Sequence, residues 1–334
     1  VSVRSPRIGS FPARKLSELD ASQYDSALVS LGYEKRARQI AEQLVDVPDR
    51  TAIPFTDRHE LEYETNLSWL RENEWKMPAV AENQIVTFMS TWLGERALAR
   101  GREDRVRLAI DISSMSRVRI AAVVQALLSL PEGAGTDVDL LYTPAKFPSA
   151  LQGDDPQVFD VGPVSRYFAG WWTNLSAPLV AVIGVGYERE MAASAIDKLE
   201  PTDMIVFAST TAGVDRYAPE VTSANQALLA PGEEGPLVVR YDLADPSGCF
   251  STLEATLARL ERDCRVVIVP LGPKMFAACA MLASALHPRS SQVIRVSAGE
   301  REKGLHRESD GKVYGLRVVV VPERGGPRAA GDWT

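Results

Sequence analysis

The chain has 334 residues, 45% of them apolar and 24% charged, with a formal net charge of −7. That length suggests two domains, and that composition an ordinary soluble globular protein. The acidic balance speaks against duplex nucleic acid as a partner, and three cysteines with three scattered histidines speak against a disulfide framework or a His/Cys metal cluster.

No metal and no cofactor is therefore expected, and a reduced, cytoplasmic compartment fits. The opening stretch VSVRSPRIGSFPARK lacks the apolar core of a signal peptide. In chain order, the apolar run 27–31 reads as a buried strand that ends at Gly32. From Lys35 the spacing turns helical, with Ala37, Ile40, Ala41 and Leu44 on one stripe. TAIPFTD (51–57) is a second strand, and AENQIVTFMSTWLGERALARG a helix ended by Gly101. RLAIDI is a strand, SSMSR a turn in which Ser113 or Ser114 can cap the next helix, and DVDLLYTP (137–144) a further strand.

The second half replays that order. PLVAVIGVGYEREMAASAIDKL is strand, turn and helix; DMIVFAST is a strand; GCFSTLEATLARLERD is helical. The longest apolar stretch, VVIVPLGPKMFAACAMLASAL, is broken by Gly272, Pro273 and Lys274, and so reads as strand, turn and helix rather than a membrane span. SQVIRVSAG and YGLRVVVVP (314–322) are the last strands. Gly-Tyr-Glu followed by a basic residue occurs at 32–35 and again at 186–189. Gly32 and Gly186, and the strands Asp137–Thr143 and Ser291–Ser297, stand at one common offset; Asp111 and Pro270 stand at a slightly longer one. The expectation is an α/β protein of two tandem Rossmann-like, parallel-sheet domains related by pseudo-two-fold symmetry. Its units are residues 1–150 and 178–322, with a linker over 151–177 and a loose tail over 323–334. An aromatic cluster in the linker (Tyr167, Phe168, Trp171, Trp172) fits packing between the halves.

In open parallel sheets, ligands bind beyond the carboxyl ends of the strands, where helix N-termini favour anions. Four turns fall there: GYEKR, SSMSR, GYERE and LGPKM. They carry Lys35, Arg36, Arg117, Arg189 and Lys274. Cations at helix starts oppose the helix dipole unless something negative sits nearby, which points to a phosphate-type ligand. The competing reading pairs them sideways with Glu34, Glu188 and Glu190. Gly32, Gly186 and Gly272 suit tight turns. Tyr33 and Tyr187 can stack on a base, bond a phosphate or pack across strand ends. Asp111 can bind ribose hydroxyls, orient an arginine or act as a base. Ser113, Ser114 and Ser116 can donate to phosphate or cap the helix that follows. No Walker loop and no Ser/His/Asp triad can be assembled, and His59 alone of the histidines has a plausible edge position.

AIDISSMSRVRIAAVV and VPLGPKMFAACAMLA, with the glycine turn after the first strand, resemble the CRISPR-associated Rossmann fold sensors. Lys274 and Met275 stand in that family's Lys–Met positions, whereas SSMSR lacks its Gly–Thr–Lys core. The resemblance implies cyclic oligonucleotides held across a two-fold interface on these turns, here built by a single chain. It implies a cyclic-nucleotide sensor or adaptor in prokaryotic antiviral defence, with a protein partner carrying the effector activity. The rivals are a metal-independent phosphodiesterase that cuts the bound cyclic oligonucleotide, and a non-catalytic structural subunit.

Overall fold

Ser26–Leu31 is buried at every position. A strand with no polar face can be accommodated only in a sheet covered on both sides, the usual setting of parallel strands. The computed structural model, which describes residues 6–99, 105–131, 133–146, 160–172, 174–186, 191–211, 217–229, 235–297 and 307–321, contains two such sheets. The elements are β1 (Arg7–Lys15), β2 (Ser26–Leu31), α1 (Gln39–Gln43), β3 (Asp49–Pro54), α2 (Tyr63–Glu72), α3 (Ile85–Ala99), β4 (Val106–Asp111), α4 (Arg117–Leu128) and β5 (Thr136–Tyr142). They continue with β6 (Asp160–Pro163), β7 (Leu179–Gly184), α5 (Met191–Leu199), β8 (Asp203–Thr211), α6 (Tyr217–Ala224), α7 (Gln226–Leu229) and β9 (Leu237–Asp242). The last are α8 (Pro246–Leu260), β10 (Arg265–Pro270), α9 (Lys274–Leu286), β11 (Ser291–Ser297) and β12 (Lys312–Val320).

The first six-stranded sheet has the order β1-β12-β5-β4-β2-β3, and the second β6-β11-β10-β7-β8-β9. Strands β3, β2, β4 and β5 are parallel, with β12 antiparallel to both β5 and β1. In the second sheet β9, β8, β7, β10 and β11 are parallel and β6 runs antiparallel along β11. The run β3-β2-β4-β5 thus has the same order as β8-β7-β10-β11. In each, successive crossovers leave the first strand in opposite directions, so the strand order switches between β2 and β4, and between β7 and β10, the place where open α/β sheets bind ligands.

Two segments lie elsewhere than the sequence led one to expect. The final strand, expected in the second unit, hydrogen-bonds between β1 and β5 in the first sheet. Part of the expected linker, Asp160–Pro163, is an edge strand of the second sheet. A strand's own residues state that it wants partners, not which ones, so both placements are set by tertiary packing.

Helix α9 is buried from Met275 through Ala285, and it packs against α4. A helix that is apolar all round belongs inside a protein, and one continuous apolar core includes both helices and strands of both sheets. Each large apolar side chain buried there contributes about 1.5–3 kcal/mol. Arg119 of α4 has no exposed surface. Its guanidinium bonds Glu82, the Ile53 and Pro54 carbonyls and Ser30, and lies 3.6 Å from the Phe55 ring centre. It thereby fixes α4 to the carboxyl end of β3. Among the described residues no helix is long and apolar enough to cross a membrane.

Candidate functional site at the meeting of four turns

At both switch points a pair of turns is in contact. In the first half, a Cβ on Gly32 would lie 3.1 Å from Ser114 Cβ. In the second, Gly272 has φ +74°, and a Cβ there would lie 2.6 Å from the Val185 carbonyl oxygen. That geometry excludes a side chain on both counts. The first turn of each pair is held by an asparagine from a later helical segment. Asn66, 34 residues after Gly32, donates Nδ2 to the Gly32 carbonyl at 2.9 Å and also to that of Glu34. Asn225, 39 residues after Gly186, donates Nδ2 to the Gly186 carbonyl at 2.7 Å.

The halves exchange hydrogen bonds across these turns. Arg117, the first residue of α4, donates Nε to the Pro270 carbonyl at 2.6 Å and Nη2 to that of Gly272 at 3.4 Å. Lys274, the first residue of α9, donates Nζ to the Ser113 carbonyl at 2.6 Å. Each cation sits at the positive end of its own helix, where it is mildly disfavoured, and meets a carbonyl of the opposite half. Ser113 is gripped from three sides. Its N–H donates to Asp111 Oδ1 at 2.8 Å, its Oγ accepts from Thr143 N–H at 2.9 Å, and its carbonyl accepts from Lys274.

Charge accumulates around this contact. Arg36 is buried; it pairs with Glu34 and donates to the Thr143 carbonyl at 3.1 Å. Arg307 approaches Glu34 at 3.9 Å. Burial works against the charge of Glu34, yet Arg36, Lys274 and Arg307 hold its carboxyl below the ordinary range. Burial likewise opposes the charge of Arg36, and Glu34 with Tyr142 keeps it firmly protonated. Lys274 is pushed down to about 7, by burial first and then by the positive charge of Arg36, against Glu34, with Arg307 and Arg117 adding to the push. Burial raises Asp111 to about 6, against the bonds from Ser113 and the charges of Arg36 and Lys274. Acid and base groups with perturbed affinities for protons, gathered at the carboxyl ends of strands, mark a candidate site on physical grounds.

The structure therefore brings together Gly32, Arg36, Asp111, Ser113, Ser114, Arg117, Gly272 and Lys274, with Gly186 packed against Gly272. Tyr33 is half-buried against the first-half core and accepts a 3.3 Å hydrogen bond from Arg58. Tyr187 and Arg189 lie outside the described residues. Lys35 points to an ion pair with Glu308 at 2.7 Å. Of the three serines that could cap α4, Ser116 does so, its side chain accepting from Arg119 N–H at 3.2 Å, while Ser113 and Ser114 stand earlier in the turn. His59 is engaged locally with the Phe55 carbonyl and the Tyr63 ring. Asn66, Asn225, Thr143 and Arg307 were not signalled by any motif. The recurrence of an asparagine at similar distances after each Gly-Tyr-Glu is the one pattern that could have pointed to two of them. Among the described residues no group of His, Cys, Asp and Glu could hold a metal ion. The chain matches no protein-family model and no curated protein.

Proposed function

We propose that the four turns bind a nucleotide-type phosphate ligand between the halves. The observation that carries this reading is the charge imbalance at the contact. Arg36, Arg117, Arg307 and Lys274 gather with Glu34 and Asp111, and the crowding contributes to the low proton affinity of Lys274. A phosphate placed there relieves the repulsion and makes charge-assisted bonds, the stronger class of hydrogen bond. The backbone carbonyls that Arg117 and Lys274 now hold are the acceptors it has to displace. Matching strand orders, paired asparagine clamps and reciprocal Arg117 and Lys274 bonds support a pseudo-two-fold relation of two Rossmann-like halves.

In this reading the chain is a sensor or adaptor for a cyclic-nucleotide signal, in the manner of the CRISPR-associated Rossmann fold sensors, and acts in cytoplasmic antiviral defence through a protein partner. Its shared core limits rigid-body movement of one half against the other, so the response to ligand is carried by the turns and the starts of α4 and α9. A second reading, a metal-independent phosphodiesterase, is favoured by one feature: Lys274 near 7 and Asp111 near 6 both bond the backbone of Ser113, at its carbonyl and at its N–H. Titration calorimetry with mono-, di- and cyclic oligoadenylates, followed by chromatography of the mixtures, separates the readings. Binding without products supports the sensor; products support the phosphodiesterase. Absence of binding across the panel overturns both and leaves a structural subunit.

A further inference from the structure

The two turns that face each other across the halves differ in chemistry. The end of β4 and the turn after it carry Asp111, Ser113 and Ser114; the end of β10 and the turn after it carry Pro270, Gly272 and Pro273, with Lys274 as the sole side chain there able to hydrogen-bond or carry charge. Two polar atoms of the first turn are buried without a hydrogen-bond partner: Asp111 Oδ2 and Ser114 Oγ. Asp111 is only 1% exposed. The nearby cations do not serve it, since Arg36 bonds Glu34 and Thr143, and Lys274 bonds the Ser113 carbonyl. An unpaired buried acceptor is costly to the fold, and a folded protein rarely carries one without a use for it. One of these atoms only accepts while the other can donate, and they stand three residues apart on one turn. A hydroxyl, which both donates and accepts, satisfies the pair.

We propose that the ligand of this site is asymmetric: a nucleotide with a hydroxyl-bearing end read by Asp111 and Ser114, and a phosphate held between Lys274, which reaches that same turn at Ser113, and Arg117, which reaches the opposite turn. This rests on the phosphate-ligand reading and narrows it. A ligand with two identical ends would set one of them against Pro270 and Gly272, which provide no side-chain partner for a hydroxyl. A site built around a buried acceptor discriminates strongly against an analogue that lacks the hydroxyl, because the acceptor is then left unpaired.

The test uses the full chain and three probes: linear 5′-phosphorylated diadenylate, the same compound ending in a 2′,3′-dideoxyribose, and 3′–5′-linked cyclic diadenylate. Calorimetry is expected to show one linear diadenylate per chain, with the dideoxy and cyclic compounds at least tenfold weaker. Asp111→Asn keeps an acceptor for the Ser113 N–H, and in it the linear and dideoxy compounds are expected to bind alike. Lys274→Gln is expected to weaken both by a similar factor and so preserve their ratio. Equal affinity of the wild type for the linear and dideoxy compounds, or preference for the cyclic one, overturns the asymmetry and leaves the phosphate site standing. Binding of none of the three, where larger cyclic oligoadenylates do bind, overturns the asymmetry alone. Silence of every compound overturns the phosphate site and this inference with it.

Discussion

Lys274 and Asp111 carry the clearest consequence at the scale of single residues. Lys274 has its proton affinity lowered from an ordinary 10.5 to about 7. Between those values the unfolded chain holds a proton that the folded one has released, so the contribution of Lys274 to stability rises with pH across that window. Asp111 is raised from 3.8 to about 6. Between those values the folded chain holds the extra proton, so its contribution falls as pH rises from about 4 to about 6. The two slopes have opposite signs and leave a minimum between them. In urea titrations from pH 4 to 10, Lys274→Gln is expected to flatten the alkaline rise, and Asp111→Asn the acidic fall, each relative to wild type. Superimposable pH profiles for wild type and both variants would show that neither group titrates as its surroundings dictate. The sequence put both residues at the ends of strands, because an apolar run followed by Asp-Ile-Ser-Ser or Gly-Pro-Lys marks that place. It did not reveal that Lys274 reaches the opposite half, since a partner 161 residues away leaves no trace in local spacing.

Among the elements, the strand–turn–helix units and the edge strand β3 were legible, and the edge strands β1, β6 and β9 were not. Ser26–Leu31, Val106–Asp111, Leu179–Gly184 and Arg265–Pro270 are short apolar runs closed by a turn, and all four are strands. Strand β1 escaped recognition because RIGSFPARK alternates poorly and carries a proline; its pairing slips between Phe11 and Arg14, as edge strands commonly do. The asparagine clamps were equally hidden, because one asparagine in a polar helix carries no periodicity. Their role makes a definite expectation. Asn66→Ala strips the Gly32 and Glu34 carbonyls of a buried donor, and Asn225→Ala strips that of Gly186. Each is expected to lower stability by about 1–3 kcal/mol. Asn66→Asp, which keeps the shape and loses the Nδ2 donor, is expected to cost at least as much as the alanine, whereas a leucine elsewhere on the exposed face of α2 is neutral. Chemical denaturation gives the comparison; an Asn66→Asp protein as stable as wild type would show that the Gly32 turn does not depend on the clamp.

At the scale of the whole molecule the halves do not separate along the chain. Strand β12 comes last yet lies between β1 and β5, hydrogen-bonded to each along its length. A fragment ending near residue 150 would leave β5 with an open edge, and β1 with no strand to join. It would also uncover α4, whose apolar surface packs on α9 within the common core. Arg117 would lose the Pro270 and Gly272 carbonyls as well. Fusing residues 307–321 behind residue 146 through a flexible linker restores the sheet and leaves the α4 surface bare. The two fragments thus distinguish the strand from the helix contact as the source of dependence. Residues 6–146 alone are expected to be unfolded or aggregated by circular dichroism and sedimentation. The fused fragment is expected to regain strand content while remaining aggregation-prone, and the full chain to unfold in a single transition with both sheets reporting together. A well-folded, monomeric 6–146 fragment would mean that β12 and α9 are added to a finished domain, and that the ligand site joins two independent units rather than lying inside one.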